Sequence, residues 1–170
     1  GVSFSAQPES GSASVSDLTL KAGQLSGKGN ASTDGKKLDA ALSLALSSLK
    51  GIAPSLSGPL ELKLRASGPL LSPGGELTLA SPHLGVETAT LEGLRVRLNT
   101  PSVGAAGGKG TLDVSATLRD ASVKALQAGA PLRFSTEWQF AADRFSLHKT
   151  RLDAPGIGLS GTLDALPAKR

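Results

Sequence analysis

Two glycine-rich stretches are the first candidates for chemistry, because glycine loops can bind phosphate groups. Gly156, Gly158 and Gly161 fit the pattern GxGxxG. In dinucleotide-binding proteins this pattern follows a strand, opens a helix and precedes an acidic residue about 20 positions later. Too few residues follow Gly161 in the sequence to supply that acid, so a β-turn is favoured.

The second stretch, residues 104–111, contains Lys109 in a setting like that of a phosphate-binding loop. That motif requires glycine six residues before the lysine and Ser or Thr directly after it. Val103 and Gly110 occupy these two places. The sequence therefore favours a hairpin loop before a strand at Thr111.

Residues for acid–base, nucleophilic or metal chemistry are sparse and do not form known motifs. The chain has no cysteine, and its two histidines, His83 and His148, lack carboxylates at ligand spacing. No serine lies in a GxSxG elbow. The carboxylates of Glu61, Glu76, Asp113 and Glu137 fall at predicted solvent-facing positions. We therefore expect no enzyme activity, no catalytic residues, no metal and no cofactor.

The basic residues point to a weak anionic partner rather than to nucleic acid. The net charge is +4, and the basic side chains at predicted outward positions include Lys63, Arg65, Arg95, Arg97, Arg119 and Arg133. Nucleic-acid surfaces add aromatic platforms for base stacking, but only 3% of this chain is aromatic. We expect no nucleic-acid binding, and attraction to lipid headgroups or to a protein is more consistent with the sequence.

Alternation of apolar and polar residues dominates the chain. In residues 60–65, leucines alternate with Glu61, Lys63 and Arg65, which places the leucines on one face of a strand. We predict that the apolar residues of such segments share one concave face and line a groove. The predicted groove-lining residues are Leu42, Leu44, Leu46, Leu60, Leu62, Leu64, Leu77, Leu79, Leu94, Val96, Leu98, Leu112, Val114, Leu118, Leu132, Phe134 and Trp138.

Glycine and proline interrupt these segments at the spacing of an all-β protein. Both residues favour turns, because glycine tolerates positive φ and proline fixes φ. The predicted turns include those at Gly27, Gly35, Gly93, Gly110 and Gly161. This pattern predicts a meander of about a dozen short antiparallel strands.

One segment fits two structures. Leu38, Leu42, Leu46 and Leu49 would also share a helical face, and Leu and Ala favour helices. Period 2 explains Leu44 as well, so residues 38–46 are predicted to be a strand. Short helical turns are predicted at residues 48–53 and 122–128.

The chain also repeats itself. LDAALSLALSSLKGI, at residues 38–52, matches LDVSATLRDASVKAL, at residues 112–126, with an offset of 74. Later matches keep offsets of 73 and 72. A repeated unit commonly buries its apolar surface by stacking on a neighbour. We predict one elongated β domain over residues 1–170, with repeat copies of about 74 residues near 36–108 and 109–166.

A longer pattern resembles a known family. Residues 49–79, LKGIAPSLSGPLELKLRASGPLLSPGGELTL, and residues 91–98, LEGLRVRL, resemble the signature of TamB and AsmA-like proteins of Gram-negative envelopes. The resemblance implies an elongated, curled antiparallel sheet, a β-taco, with an open apolar groove. It also implies a role in phospholipid transport or outer-membrane biogenesis in the periplasm. The ligand would be phospholipid or another acyl chain.

The same resemblance implies partners beyond this chain. An inner-membrane anchor would lie outside it, and a TamA-like outer-membrane barrel would be a partner. The low aromatic content agrees with an open groove, because rings would fill the space that acyl chains need. The alternative is a filled β-solenoid or sandwich that acts as a structural scaffold or an adhesin stalk.

Overall fold

The structure is a computed structural model that describes residues 3–7, 11–51, 53–141 and 144–165. Two 3-10 helices, Leu49–Gly51 and Lys124–Leu126, accompany the strands. The strands are β1 Ser3–Gln7, β2 Ser12–Ala22, β3 Leu25–Thr33, β4 Lys37–Leu46, β5 Leu56–Ser57, β6 Leu60–Pro69, β7 Gly74–Val86, β8 Ala89–Gly104, β9 Gly107–Asp120, β10 Ala130–Ala141, β11 Arg144–Ala154 and β12 Ile157–Ala165. The predicted all-β class is confirmed.

The strands form one open antiparallel sheet that does not close into a barrel. Eleven strands follow chain order from β1 to β12, and the short β5 pairs with β7 beside them. Strands in a sheet lie about 4.8 Å apart, so the eleven span about 48 Å. The sheet is therefore elongated across its strands.

The ambiguous leucine-rich segment is a strand. β4 pairs along its whole length with β3 on one side and with β6 on the other. These two ladders use the backbone groups that a helix would have paired internally, so period 2 prevails over helix propensity. The two predicted helical turns are confirmed, because each 3-10 helix falls within its predicted range.

The strands are longer than predicted, and several glycines expected in turns lie inside them. β8 has 16 residues and contains Gly93, while Gly27, Gly110 and Gly161 lie within β3, β9 and β12. Packing explains two of these positions. A Cβ on Gly27 would lie 2.5 Å from Leu44 Cδ2. A Cβ on Gly110 would clash first with the backbone oxygen of Asn99 and would also lie 2.8 Å from the Trp138 ring. These glycines make room for atoms of the neighbouring strands.

Bulges interrupt the alternation in several strands, and β8 has a second one between Asn99 and Ser102. Asp17 in β2, Gly93 in β8 and Lys149 in β11 each have positive φ, and each lies where the pairing shifts by one residue. An extra residue of left-handed conformation is the mark of a common β-bulge. Apolar residues on the two sides of a bulge are therefore three apart, not two, and still share a face.

The two sequence repeats carry similar elements. β4, the first 3-10 helix, β6, β7 and β8 occupy one copy, and β9, the second 3-10 helix, β10, β11 and β12 occupy the other. β5 occurs in the first of these series. Residues 38–46 of β4 match residues of β9, and the two 3-10 helices correspond, but residues 84–85 of β7 match residues 157–158 of β12.

Candidate functional site

Cross-strand pairing places the predicted groove residues on one face of the sheet, which we call the apolar face. Directly paired residues point to the same side. One row runs across six strands through Leu44, Leu62, Leu79, Val96, Val114 and Phe134. A second row runs through Leu42, Leu64, Leu77, Leu98 and Leu112.

The remaining predicted residues join the same face through their own partners. Leu46 pairs with Leu60, Leu94 with Ser81, Leu118 with Ala130, Leu132 with Ala116, and Trp138 with Gly110. Together these pairs extend the apolar face from β4 to β10.

Charged side chains occupy the opposite face, which we call the polar face. Lys63, Thr78, Arg97, Asp113, Ser135 and Arg151 form one row across it. Arg95 and Arg97 therefore lie opposite Val96, as the alternation predicts. Ion pairs here, such as Arg97 Nε to Glu76 Oε1 at 3.3 Å, are exposed and contribute little to stability.

The apolar face is only partly covered, and most of its side chains are half-buried. Among described residues, only the hydrophobic side chains of Leu49 and Leu94 are buried. Leu64 is 38% exposed and Leu159 is 62% exposed. The chain exposes 11338 Å², against about 7,800 Å² for a compact protein of 17.1 kDa. In the described part, the sheet is a single layer whose apolar side meets solvent.

Leu94 is an exception to this openness. It lies beside the β8 bulge, opposite Ser81, and is 7% exposed. Ser81 is 2% exposed, and its hydroxyl donates to the Pro59 carbonyl at 2.7 Å. The pair forms a small buried site within the open sheet.

The apolar face also includes residues that the sequence did not reveal. Leu147 and Leu152 join it through Trp138 and Phe134, although they lie on two sides of the Lys149 bulge. Strict alternation does not place these two residues on one face, because the bulge at Lys149 adds one residue between them. Apolar-face residues outside the predicted set include Leu18, Leu20, Leu25, Leu38, Leu84, Leu91, Phe140, Phe145, Leu147, Leu152, Leu159 and Leu163, of which Phe140 continues the alternation of Phe134 and Trp138.

One end of the apolar face contains a hollow of ≈280 Å³ between β2 and β6. Val15, Leu18, Ala40, Leu42 and Leu64 line it. Small residues, including Ala31 and Gly29, form its floor on β3. Apolar walls with a small-residue floor suit an aliphatic chain, because each buried CH₂ contributes about 0.8 kcal/mol.

The other end of the apolar face carries the aromatic rings. Trp138 and Phe140 stack with centroids 6.0 Å apart and planes at 9°. Trp138 lies over Gly110, and Phe140 lies over Gly108. Trp138 Nε1 is buried without a hydrogen-bond partner among the described residues. Bulk is thus concentrated on β10 and β11, whereas β2 to β6 carry aliphatic side chains.

A polar group on the apolar face is fully bonded. Thr136 is 4% exposed, and its hydroxyl lies 2.8 Å from the Thr150 hydroxyl and 3.3 Å from the His148 carbonyl. Thr136 lies within the shared bulge of β10 and β11. Its hydrogen bonds explain how a hydroxyl can interrupt the apolar row next to Leu112.

Hydrogen bonds to carboxylates stabilise two of the turns. Asp34 accepts hydrogen bonds from Lys37 N at 2.6 Å and Lys36 N at 2.8 Å, and these bonds lower its pKa. Asp120 accepts from the Ser122 hydroxyl and backbone, which lowers its pKa as well. Both groups stabilise chain reversals.

The glycine motifs lie in hairpins. Gly156 has φ +74 in the turn between β11 and β12, and the following residues form strand β12 instead of a helix. The second stretch forms the β8–β9 hairpin, with β9 beginning at Gly107, earlier than the predicted Thr111. His83 and His148 lie on β7 and β11. The described residues contain no cluster of three potential metal ligands.

Within the described chain, no helix has the length and apolar character required to cross a membrane. Comparisons of this chain with protein-family models, with curated proteins and with solved structures found no match.

Proposed function

We propose that this chain is a periplasmic segment of an envelope-spanning protein, and that its apolar face carries phospholipid or shields an outer-membrane protein substrate. The observation that supports this proposal is the open apolar face. A face that crosses six strands in register, from β4 to β10, leaves more apolar surface in water than a monomeric protein usually tolerates.

Acyl chains are the occupant that best fits this surface. The hollow between β2 and β6 has aliphatic walls, and the rows of leucine continue from it across the sheet. The resemblance to TamB and AsmA-like proteins supports the same assignment. An inner-membrane anchor outside this chain and a TamA-like outer-membrane barrel would place the sheet between two membranes.

A structural scaffold is the second candidate, and the aromatic end of the apolar face favours it. Trp138, Phe140 and Phe145 could pack against a second apolar layer, as in a filled solenoid or sandwich. In that case another segment or protein would cover the leucine rows. Lipid at Leu64 would favour lipid transport, whereas protein at Leu64 would fit either substrate shielding or a scaffold.

Photo-crosslinking tests the proposal. A benzophenone amino acid would replace Leu64 on the apolar face or Lys63 on the polar face, in chain produced in the periplasm of a Gram-negative host. We expect phospholipid adducts at position 64 and none at position 63. Adducts with protein alone at position 64 would support shielding or a scaffold, and equal lipid labelling at both positions would contradict a role for the apolar face.

A further inference from the structure

The polar face contains a basic hollow that the proposed function does not use. Its volume is ≈580 Å³, within the size range of small-molecule sites. Four arginines but only two aspartates line it. The hollow thus has an excess of positive charge on the face opposite the leucine rows.

Two of these arginines are already engaged by carboxylates. Arg151 Nε contacts Asp153 Oδ2 at 2.9 Å, and Arg97 Nε contacts Glu76 Oε1 at 3.3 Å. Asp113 pairs directly across the strands with Arg97. Asp153, which contacts Arg151, also pairs across the strands with Arg133, whereas Arg95 pairs with Ala80 and Ser115.

Arg95 and Arg133 differ from these two arginines. Neither side chain makes an ion pair or a hydrogen bond with another described residue. Both pair with Ser115, Arg95 from β8 and Arg133 from β10, so they flank one serine in one row. Their backbones lie two strand spacings, about 10 Å, apart. Two long side chains can converge on one ligand across this distance.

We propose that Arg95 and Arg133, on either side of Ser115, bind a phosphate-bearing anion on the polar face. Guanidinium groups bind phosphate oxygens through paired, charge-assisted hydrogen bonds. The hydroxyls of Ser115 and Ser135, which also line the hollow, supply further donors. The remaining volume accommodates a small organic group on the phosphate, so the ligand is a free phosphate ester or a lipid headgroup.

Calorimetric titration with inorganic phosphate, at an ionic strength fixed with sodium chloride, tests the site. The variant Arg95→Gln/Arg133→Gln should bind at least about tenfold more weakly than the wild type, because two charged donors are lost. The control Lys124→Gln/Arg144→Gln removes the same charge at exposed positions outside the hollow. It should retain wild-type affinity. Equal loss in both variants, or no phosphate binding by the wild type, would overturn the proposal.

Vesicle sedimentation separates the two sources of phosphate. Phosphatidylcholine vesicles with phosphatidylglycerol should bind the wild type more tightly than the Arg95→Gln/Arg133→Gln variant if the ligand is a headgroup. If only the titration with inorganic phosphate responds, the ligand is a free phosphate ester. Both arginines are exposed, so the variant should keep the wild-type unfolding midpoint. The single Arg133→Gln variant replaces it if the double variant unfolds.

Discussion

Glutamate at two positions of the apolar face should give very different losses of stability. Leu64 and Leu94 both lie on this face, but Leu64 is 38% exposed and Leu94 is 7% exposed. Leu64 pairs with Leu42 and Leu77 in the open row, whereas Leu94 pairs with the buried Ser81. The comparison therefore separates open surface from buried surface within one sheet.

The expected magnitudes follow from burial. Leu94→Glu loses about 2 kcal/mol of apolar burial and adds the cost of an unpaired carboxylate out of water. We expect a total loss of about 4 kcal/mol, a large part of the stability of a typical domain. We expect Leu64→Glu to lower the free energy of unfolding by about 1 kcal/mol, because its carboxylate can remain hydrated.

Urea unfolding followed by circular dichroism measures both free energies. Leu64→Glu should unfold cooperatively with a midpoint close to that of the wild type, and Leu94→Glu should lose most of its folded baseline. Equal, severe losses in the two variants would refute the reasoning, because Leu64 would then be covered by a second layer. Ser43→Glu, an exposed change on the polar face, is the control for added negative charge.

Three further variants test local features. Gly93→Ala should lower the free energy of unfolding in urea by about 1 kcal/mol, because Gly93 has φ +61 and nothing lies near its Cβ position. The control Gly161→Ala is equally open but lacks positive φ, so its free energy of unfolding should not change. Equal effects of the two variants would contradict the bulge. Gly110→Ala should lower stability and shift the fluorescence of the chain's single tryptophan, because its Cβ would clash with the Asn99 backbone oxygen and with the Trp138 ring. An unchanged spectrum would count against the contact with Trp138. Asp34→Ala should lower stability at neutral pH, and its stability should converge with that of the wild type in acid. The folded state lowers the pKa of Asp34, so this carboxylate stabilises the fold above its unfolded-state pKa, and the stabilisation is lost as the pH falls through the folded-state pKa. A stability difference that persists in acid would contradict this.

The fold class could be predicted because alternation is a local property of the sequence. Leu60, Leu62 and Leu64 specify one face of β6 without knowledge of any other strand. The same holds for Leu94, Val96 and Leu98 in β8. Pairing in register then brings these local faces together into the apolar face.

The extents of the strands could not be predicted, because glycine has two roles in this sheet. Gly23 and Gly156 have positive φ in turns between strands, whereas Gly27 and Gly110 lie in strands where a neighbour's side chain needs the space. The neighbour, Leu44 or Trp138, is distant in sequence. A glycine's role therefore depends on register, which a single strand does not reveal.

The bulges and the basic hollow also depend on register. Nothing in the local sequence indicates that Asp17 and Lys149 adopt positive φ, so the apolar residues beyond them were missed. Arg95 and Arg133 are distant in sequence and become neighbours only because both pair with Ser115. Predicting such sites requires the order and alignment of the strands.

Mass spectrometry of lipid retained by the purified chain tests the central claim most directly. The wild type, Leu64→Glu and Ser43→Glu would be produced in the periplasm of a Gram-negative host and extracted after identical purification. We predict phospholipid with the wild type and with Ser43→Glu, and little with Leu64→Glu, which places a charge on the apolar face. Wild-type chain without phospholipid, or Leu64→Glu with as much phospholipid as the wild type, would contradict the proposal that this face carries lipid.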